Sequence, residues 1–238
     1  MKNSELKTAL SAAFAAPEPE RKRAFFRALP PAPVSHFAFM RSQAGYIRRS
    51  TWALSAASFA FALGVGRYAP EDALWSAAAL TPFAALTAVT EGGRSALYGM
   101  EELEMSSRMG LKSVVLARMG LIGLAHLLLL CLLAPLARRG TETGLFSVGV
   151  YLLTPYLLTT LLGLGAVRRI RGREAIYVCG AMAVLVSGLL GALSGSYRAL
   201  YAPENFRWWL AALALCAALT ATQWQKNIRR TEDLTWNL

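Results

Sequence analysis

At 238 residues the chain has room for one or two soluble domains, yet 55% of it is hydrophobic and only 16% charged. The apolar residues gather in long runs, which excludes an ordinary soluble domain and points to a polytopic membrane protein. The net charge of +11 falls mostly outside those runs, so it reads as a topology signal and an attraction to anionic lipid, not as nucleic-acid binding.

Residues 1–34 are expected to be a cytoplasmic N-terminal segment. They carry charges throughout and a Pro-rich break, without the single apolar core of a secretory signal. Leu6, Ala9, Leu10, Ala13 and Phe14 follow helical spacing, and the prolines of PEPE end that pattern. A basic, aromatic piece, RKRAFFRAL, runs up to Pro30, Pro31 and Pro33. Ser35 is then placed to cap an interfacial elbow helix over 35–50. Phe37, Met40, Ala44 and Ile47 share one of its faces, while Arg41, Arg48 and Arg49 point toward lipid phosphates or water.

A six-span transmembrane domain is predicted over 51–223, with spans near 51–67, 73–90, 114–136, 145–166, 175–196 and 207–223, and a cytoplasmic tail over 224–238. Each span rests on about 20 apolar residues crossing about 30 Å of hydrocarbon. Trp52, Trp75, Trp208, Trp209 and Trp224 lie near span ends, where amphipathic rings favour the interface. Lys and Arg number nine before the first span, four in 91–118, four in 167–174 and three in the tail, against five elsewhere. That bias puts both termini in the cytoplasm of a cell-membrane protein. Small residues recur at four-residue spacing, at Ala56, Ala60 and Gly64 and at Ser187, Gly191 and Gly195; such stripes serve helix pairing within one chain or between chains. Pro82 and Pro155 interrupt two spans and leave carbonyls for neighbours to take up. GSYRALYAPENFRWW, between the last two spans, suits the outer leaflet. Cys131, Cys179 and Cys216 lie in apolar runs and read as packing residues.

The longest polar interruption, Glu91 to Arg118, can form an amphipathic cytoplasmic helix. Leu97, Met100 and Leu103 share a face, and Glu104 and Arg108 stand at the i, i+4 spacing of an ion pair. Its bland reading is a solvated loop helix. All fourteen acidic residues lie in terminal segments, loops or span ends, which argues against a proton- or sodium-coupled transporter with a carboxylate at the midplane. His126 alone is polar and titratable deep in a span, either satisfied by a neighbouring helix or contacting a ligand. LSGS at Ser194 lacks the leading glycine and later histidine of a rhomboid-type protease. EELEMSSR lacks the histidines and arginine spacing of a CAAX-type one. No GxxxxGK[ST] loop occurs, so the chain is not expected to be an enzyme or to bind ATP by that route.

With an elbow helix, six spans and ELEMSSRMGLKSVVLAR before the third of them, the chain resembles the permease subunit of six-helix, ABCG-like ABC exporters, the type-two permease family. The resemblance covers about 190 residues from Phe37 to the end of the sixth span. It implies an all-α fold with an elbow helix at 36–50, a coupling helix at 95–112 between spans two and three, and a re-entrant element at 195–207. It also implies a separate ABC ATPase subunit that binds ATP and Mg, a second permease copy in a homodimer, and docking of the ATPase on Glu101, Glu102, Glu104 and Arg108. The chain itself would carry no cofactor or metal. Residues 1–34 have no family role, and a second reading accounts for them: a membrane regulator that sequesters a soluble factor, such as a sigma factor, through this segment. A scaffold subunit of a larger membrane complex is a third.

Overall fold

Helices account for the architecture of the computed structural model, which describes residues 35–94, 98, 100, 110–141, 143–170, 172, 174–193 and 200–236. In chain order they are α1 (His36–Tyr46), α2 (Arg49–Tyr68), α3 (Ala73–Gly92), α4 (Gly110–Ala137), α5 (Leu145–Arg169), α6 (Glu174–Ala192) and α7 (Phe206–Trp236). Short 3₁₀ turns at Pro70–Asp72, Arg138–Gly140 and Pro203–Asn205 join or precede them, and no strand occurs among the described residues.

Six long helices occupy the six stretches expected to cross. Four of them, over Pro70–Gly92, Ser113–Ala137, Leu145–Arg169 and Glu174–Ala192, are long and apolar enough to span a membrane. The chain is thus an all-helical, membrane-embedded protein. The two helices that fall short have polar residues in or beside their apolar runs: α2 carries Ser50, Thr51, Ser55 and Ser58, and the run of α7 is flanked by Arg207 and by Gln223, Gln225 and Lys226. Helix α7 also continues to Trp236, through the segment expected to be a separate tail.

Burial ranks the helices. In α3, 72% of the membrane-length window is buried and in α5 50%, against 28% in α4 and 22% in α6. Helix α3 packs on α2, α4, α5 and α6, and α7 packs on α5. The cause lies in its composition, since alanines on every side let neighbouring backbones approach. Val89 of α3 lies against Gly163 of α5, where an added Cβ would come within 3.0 Å of the valine. Pro82 inside α3 frees the carbonyl of Ala78, and the adjacent Thr81 hydroxyl donates to it at 2.9 Å. Beside this interruption Ser187 of α6 donates to Ala79 O at 2.5 Å. Of the two small-residue stripes, the Ser187 end therefore pairs within the chain, while Ala56 and Ala60 of α2 are exposed.

Helix α1 begins directly after Ser35, as the capping pattern predicts, but its inward face differs from the expected one. Phe37 and Met40 are exposed; Gln43 and Ile47 are buried, with Ile47 against Ala88 and Ile122. Helix α4 starts at Gly110, four residues before the expected start of the third span.

Overpacking the α3–α5 contact should destabilise the bundle: Gly163→Leu is expected to cost about 1–3 kcal/mol. Gly180→Leu, at a position with nothing within 4 Å of an added Cβ, should be near neutral. Thermal unfolding in mild detergent compares the two.

Candidate functional site

The densest buried chemistry is a polar seam where α2, α3, α4 and α5 meet. Residues Thr51, Ser55, Phe59, Ala62 and Gly66 recur every three or four positions and form the buried face of α2. Thr87 and Glu91 hold the same spacing on α3, so the two helices meet as polar pairs one turn apart. Thr51 donates to Glu91 Oε1 at 2.8 Å, and Ser55 lies 3.2 Å from the Thr87 hydroxyl.

From α4, His126 enters between them with 1% of its surface exposed. Its Nε2 is 2.9 Å from Ser55 Oγ and 3.5 Å from Thr87 Oγ1, and its Nδ1 is 3.1 Å from the Tyr156 hydroxyl of α5. Tyr156 also meets the ring edge-on at 5.8 Å, and Phe59 covers it at 6.3 Å. Proton bookkeeping selects one tautomer. The Thr87 hydroxyl donates to Ala84 O at 2.8 Å, so its oxygen is left to accept. A complete chain then runs from Tyr156 O–H to Nδ1, from Nε2–H to Ser55, from Ser55 O–H to Thr87, and from Thr87 to the carbonyl. The opposite tautomer leaves the phenol proton without a partner in this set. The histidine is thus satisfied by side chains of two other helices, α2 and α5, the first of the two roles the sequence left open.

At its Glu91 end the seam reaches the helix termini. Glu91, 4% exposed, pairs with Arg94 at 3.7 Å, and Arg94 donates to Tyr46 O at 2.8 Å. Arg48, between α1 and α2, donates to the Tyr98 hydroxyl and lies 5.0 Å from the centre of that ring. Two arginine contacts thus cross between the α1–α2 bend and the segment leaving α3. Gln43 and Arg118 are buried as well. Nearby on α5, Arg168 donates to Gln223 of α7 at 2.9 Å.

The opposite end is aromatic. Tyr151, fully buried, lies 4.9 Å from Tyr201 and 5.4 Å from Trp209, and Tyr201 stacks on Trp209 at 5.4 Å. Trp209 donates to Leu200 O at 3.0 Å, and Tyr151 to Tyr201 O at 3.4 Å. Burial, then the neighbouring Tyr151, pushes the Tyr201 phenol up from its ordinary value. Trp75 and Trp209 pack against the core here, while Trp208 stays exposed. A cavity of about 10 Å³, lined by Phe59, Ala62, Ala77, Thr81 and Leu133 among others, separates α2 from α3 and α4. Its volume is about that of one water and its lining is mostly apolar.

Glu101, Glu102, Glu104 and Arg108, expected to dock a partner, lie outside the described residues, as does most of 95–112. Among the described residues no group of three or more His, Cys, Asp or Glu is placed to hold a metal. Cys131, Cys179 and Cys216 are free thiols. Sequence reasoning singled out His126 and passed over Ser55, Thr87, Glu91 and Tyr156. A usable signal was present: Thr51 and Ser55, and Thr87 and Glu91, each repeat at i, i+4 within an apolar stretch.

Removing the buried carboxylate should be costly, because the Thr51 hydroxyl loses its acceptor and Arg94 its ion-pair partner. Glu91→Leu is expected to lower stability by about 1–3 kcal/mol, read as a reduced unfolding midpoint in detergent. Trp209→Phe at the aromatic end should cost about 1 kcal/mol through the lost donor to Leu200. A scan of protein-family models finds no match to the chain, and neither the search of curated proteins nor that of solved structures finds a similar protein.

Proposed function

We propose that the chain is the membrane-spanning permease subunit of an ATP-driven exporter, coupled through residues 95–112 to a separate ATPase. The observation that carries this reading is the clamped corner at the Glu91 end. Arg94 is tied to Glu91 and to the Tyr46 carbonyl, and Tyr98 to Arg48. The 95–112 stretch therefore departs from α3, the most buried of the spanning helices, and re-enters as α4, which carries His126. A push on this stretch would act on the two helices that hold the seam, and the bundle would respond as packed units.

In this reading α2 and α7 complete the six crossings, both termini are cytoplasmic, and two copies enclose the pathway. A substrate path would run between the two copies. Exposed Leu124, Leu127, Leu128 and Leu132 on α4 and Leu185 and Leu189 on α6 supply apolar walls facing lipid or the second copy. They suit a lipid-like or amphipathic molecule. Energy would come from the partner, which holds the ATP and Mg.

Charge reversal tests the docking residues. With Glu101→Lys and Glu104→Lys combined, ATPase activity co-isolated with the tagged chain should fall about tenfold, the scale of one disrupted interfacial charge pair. The amount of chain in the membrane should not change. Undiminished co-isolated activity would remove these residues from the interface.

A further inference from the structure

We infer that α2 is held in the bundle by the polar seam and not by its own apolar surface, so that it is a detachable helix whose docking Glu91 and His126 control. Three observations converge. Helix α2 has membrane length, yet it falls short of the apolarity of the four helices that qualify as spans. Of its buried residues Thr51, Ser55, Phe59, Ala62 and Gly66, only Phe59 is a large apolar side chain. The bulk of its hydrocarbon, including Leu54, Phe61 and Leu63, faces outward. Lipid tails solvate such a face as well as protein does, so apolar burial gives little reason for α2 to stay.

The demand for α2 comes from the residues it meets. A serine or threonine in a free helix can turn its hydroxyl back to the carbonyl one turn earlier, as Ser58 already does to Leu54 O at 2.9 Å. Thr51 and Ser55 therefore have an alternative when undocked. Glu91 loses its hydroxyl donor, and His126 loses the Ser55 acceptor for Nε2–H. Leaving those groups short of partners in a medium without water is the cost that draws α2 in. The Arg48–Tyr98 and Arg94–Tyr46 contacts lie at the hinge end of the helix, so detachment would begin at the far end, near Gly66.

Disulfide trapping reads that far end. A Cβ at Gly66 would lie 2.9 Å from Leu136 Cδ2 of α4, so Gly66→Cys with Leu136→Cys reports docking about 16 Å from Ser55 along the helix. Ala79→Cys with Ser187→Cys reports the α3–α6 contact, which does not involve the seam. Both pairs are introduced with Cys131, Cys179 and Cys216 replaced by alanine, and oxidised in native membranes. The deciding background is Thr51→Val with Ser55→Ala, which makes α2 more apolar while removing its seam hydroxyls. The Gly66–Leu136 crosslink is expected to fall about fivefold, the scale of one or two intramembrane hydrogen bonds. His126→Leu should act in the same direction, and the α3–α6 crosslink should hold in both. An unchanged or stronger Gly66–Leu136 crosslink in the double variant would overturn the inference, because apolar packing would then suffice. An equal fall of both crosslinks would overturn it too, since the seam would then hold the whole bundle and not α2.

Discussion

Within hydrocarbon no water is at hand to repair a missing hydrogen bond, and the arrangement of this bundle follows from that constraint around His126. An imidazole has two ring nitrogens to satisfy, and here each finds a hydroxyl on a different helix. The resulting chain, from Tyr156 through His126, Ser55 and Thr87 to a backbone carbonyl, joins α2 to α5 through a single set of directional bonds. Directionality is what apolar packing in lipid lacks. Leucines facing leucines leave helix rotation and register weakly determined, whereas an occupied histidine fixes both.

Around that point the two ends of the bundle diverge in chemistry. The Glu91 end is charged and clamped by arginines, while the other is closed by Tyr151, Tyr201 and Trp209 packed ring against ring. Between them runs α3, whose small side chains let α5 and α6 come close enough for Gly163 to meet Val89 and for Ser187 to reach a carbonyl beside Pro82. A bundle tied at one end by polar contacts and plugged at the other by aromatic ones suits a device driven from the polar end. This is the physical content of the permease proposal.

Helix positions were legible because apolar length is a one-dimensional property. Each of the six expected crossings corresponds to a long helix, and α1 begins where Ser35 and the prolines before it indicate. Only four of the six are long and apolar enough to span, and in α2 the polar Ser55 and Thr51 have a reason visible only once Glu91 and His126 stand opposite. Side-chain direction was harder still. Phe37 and Met40 share a face with Ile47 by spacing, but only Ile47 is buried, because α1 breaks at Ile47–Arg48 and the pattern does not carry across the bend. The exposure of Ala56 and Ala60 likewise depends on which neighbour each helix meets, which four-residue spacing does not encode. His126 was conspicuous as an isolated polar residue; its partners are two ordinary hydroxyls, and hydroxyls are common in membrane helices.

The central claim is that a separate ATPase acts on this chain through residues 95–112. Its most direct test is to isolate the tagged protein from native membranes in mild detergent and identify, by crosslinking mass spectrometry, what remains bound and where. The account predicts an ATPase in stoichiometric amount, crosslinked within 95–112. A soluble factor held only through residues 1–34, with no ATPase present, would contradict it.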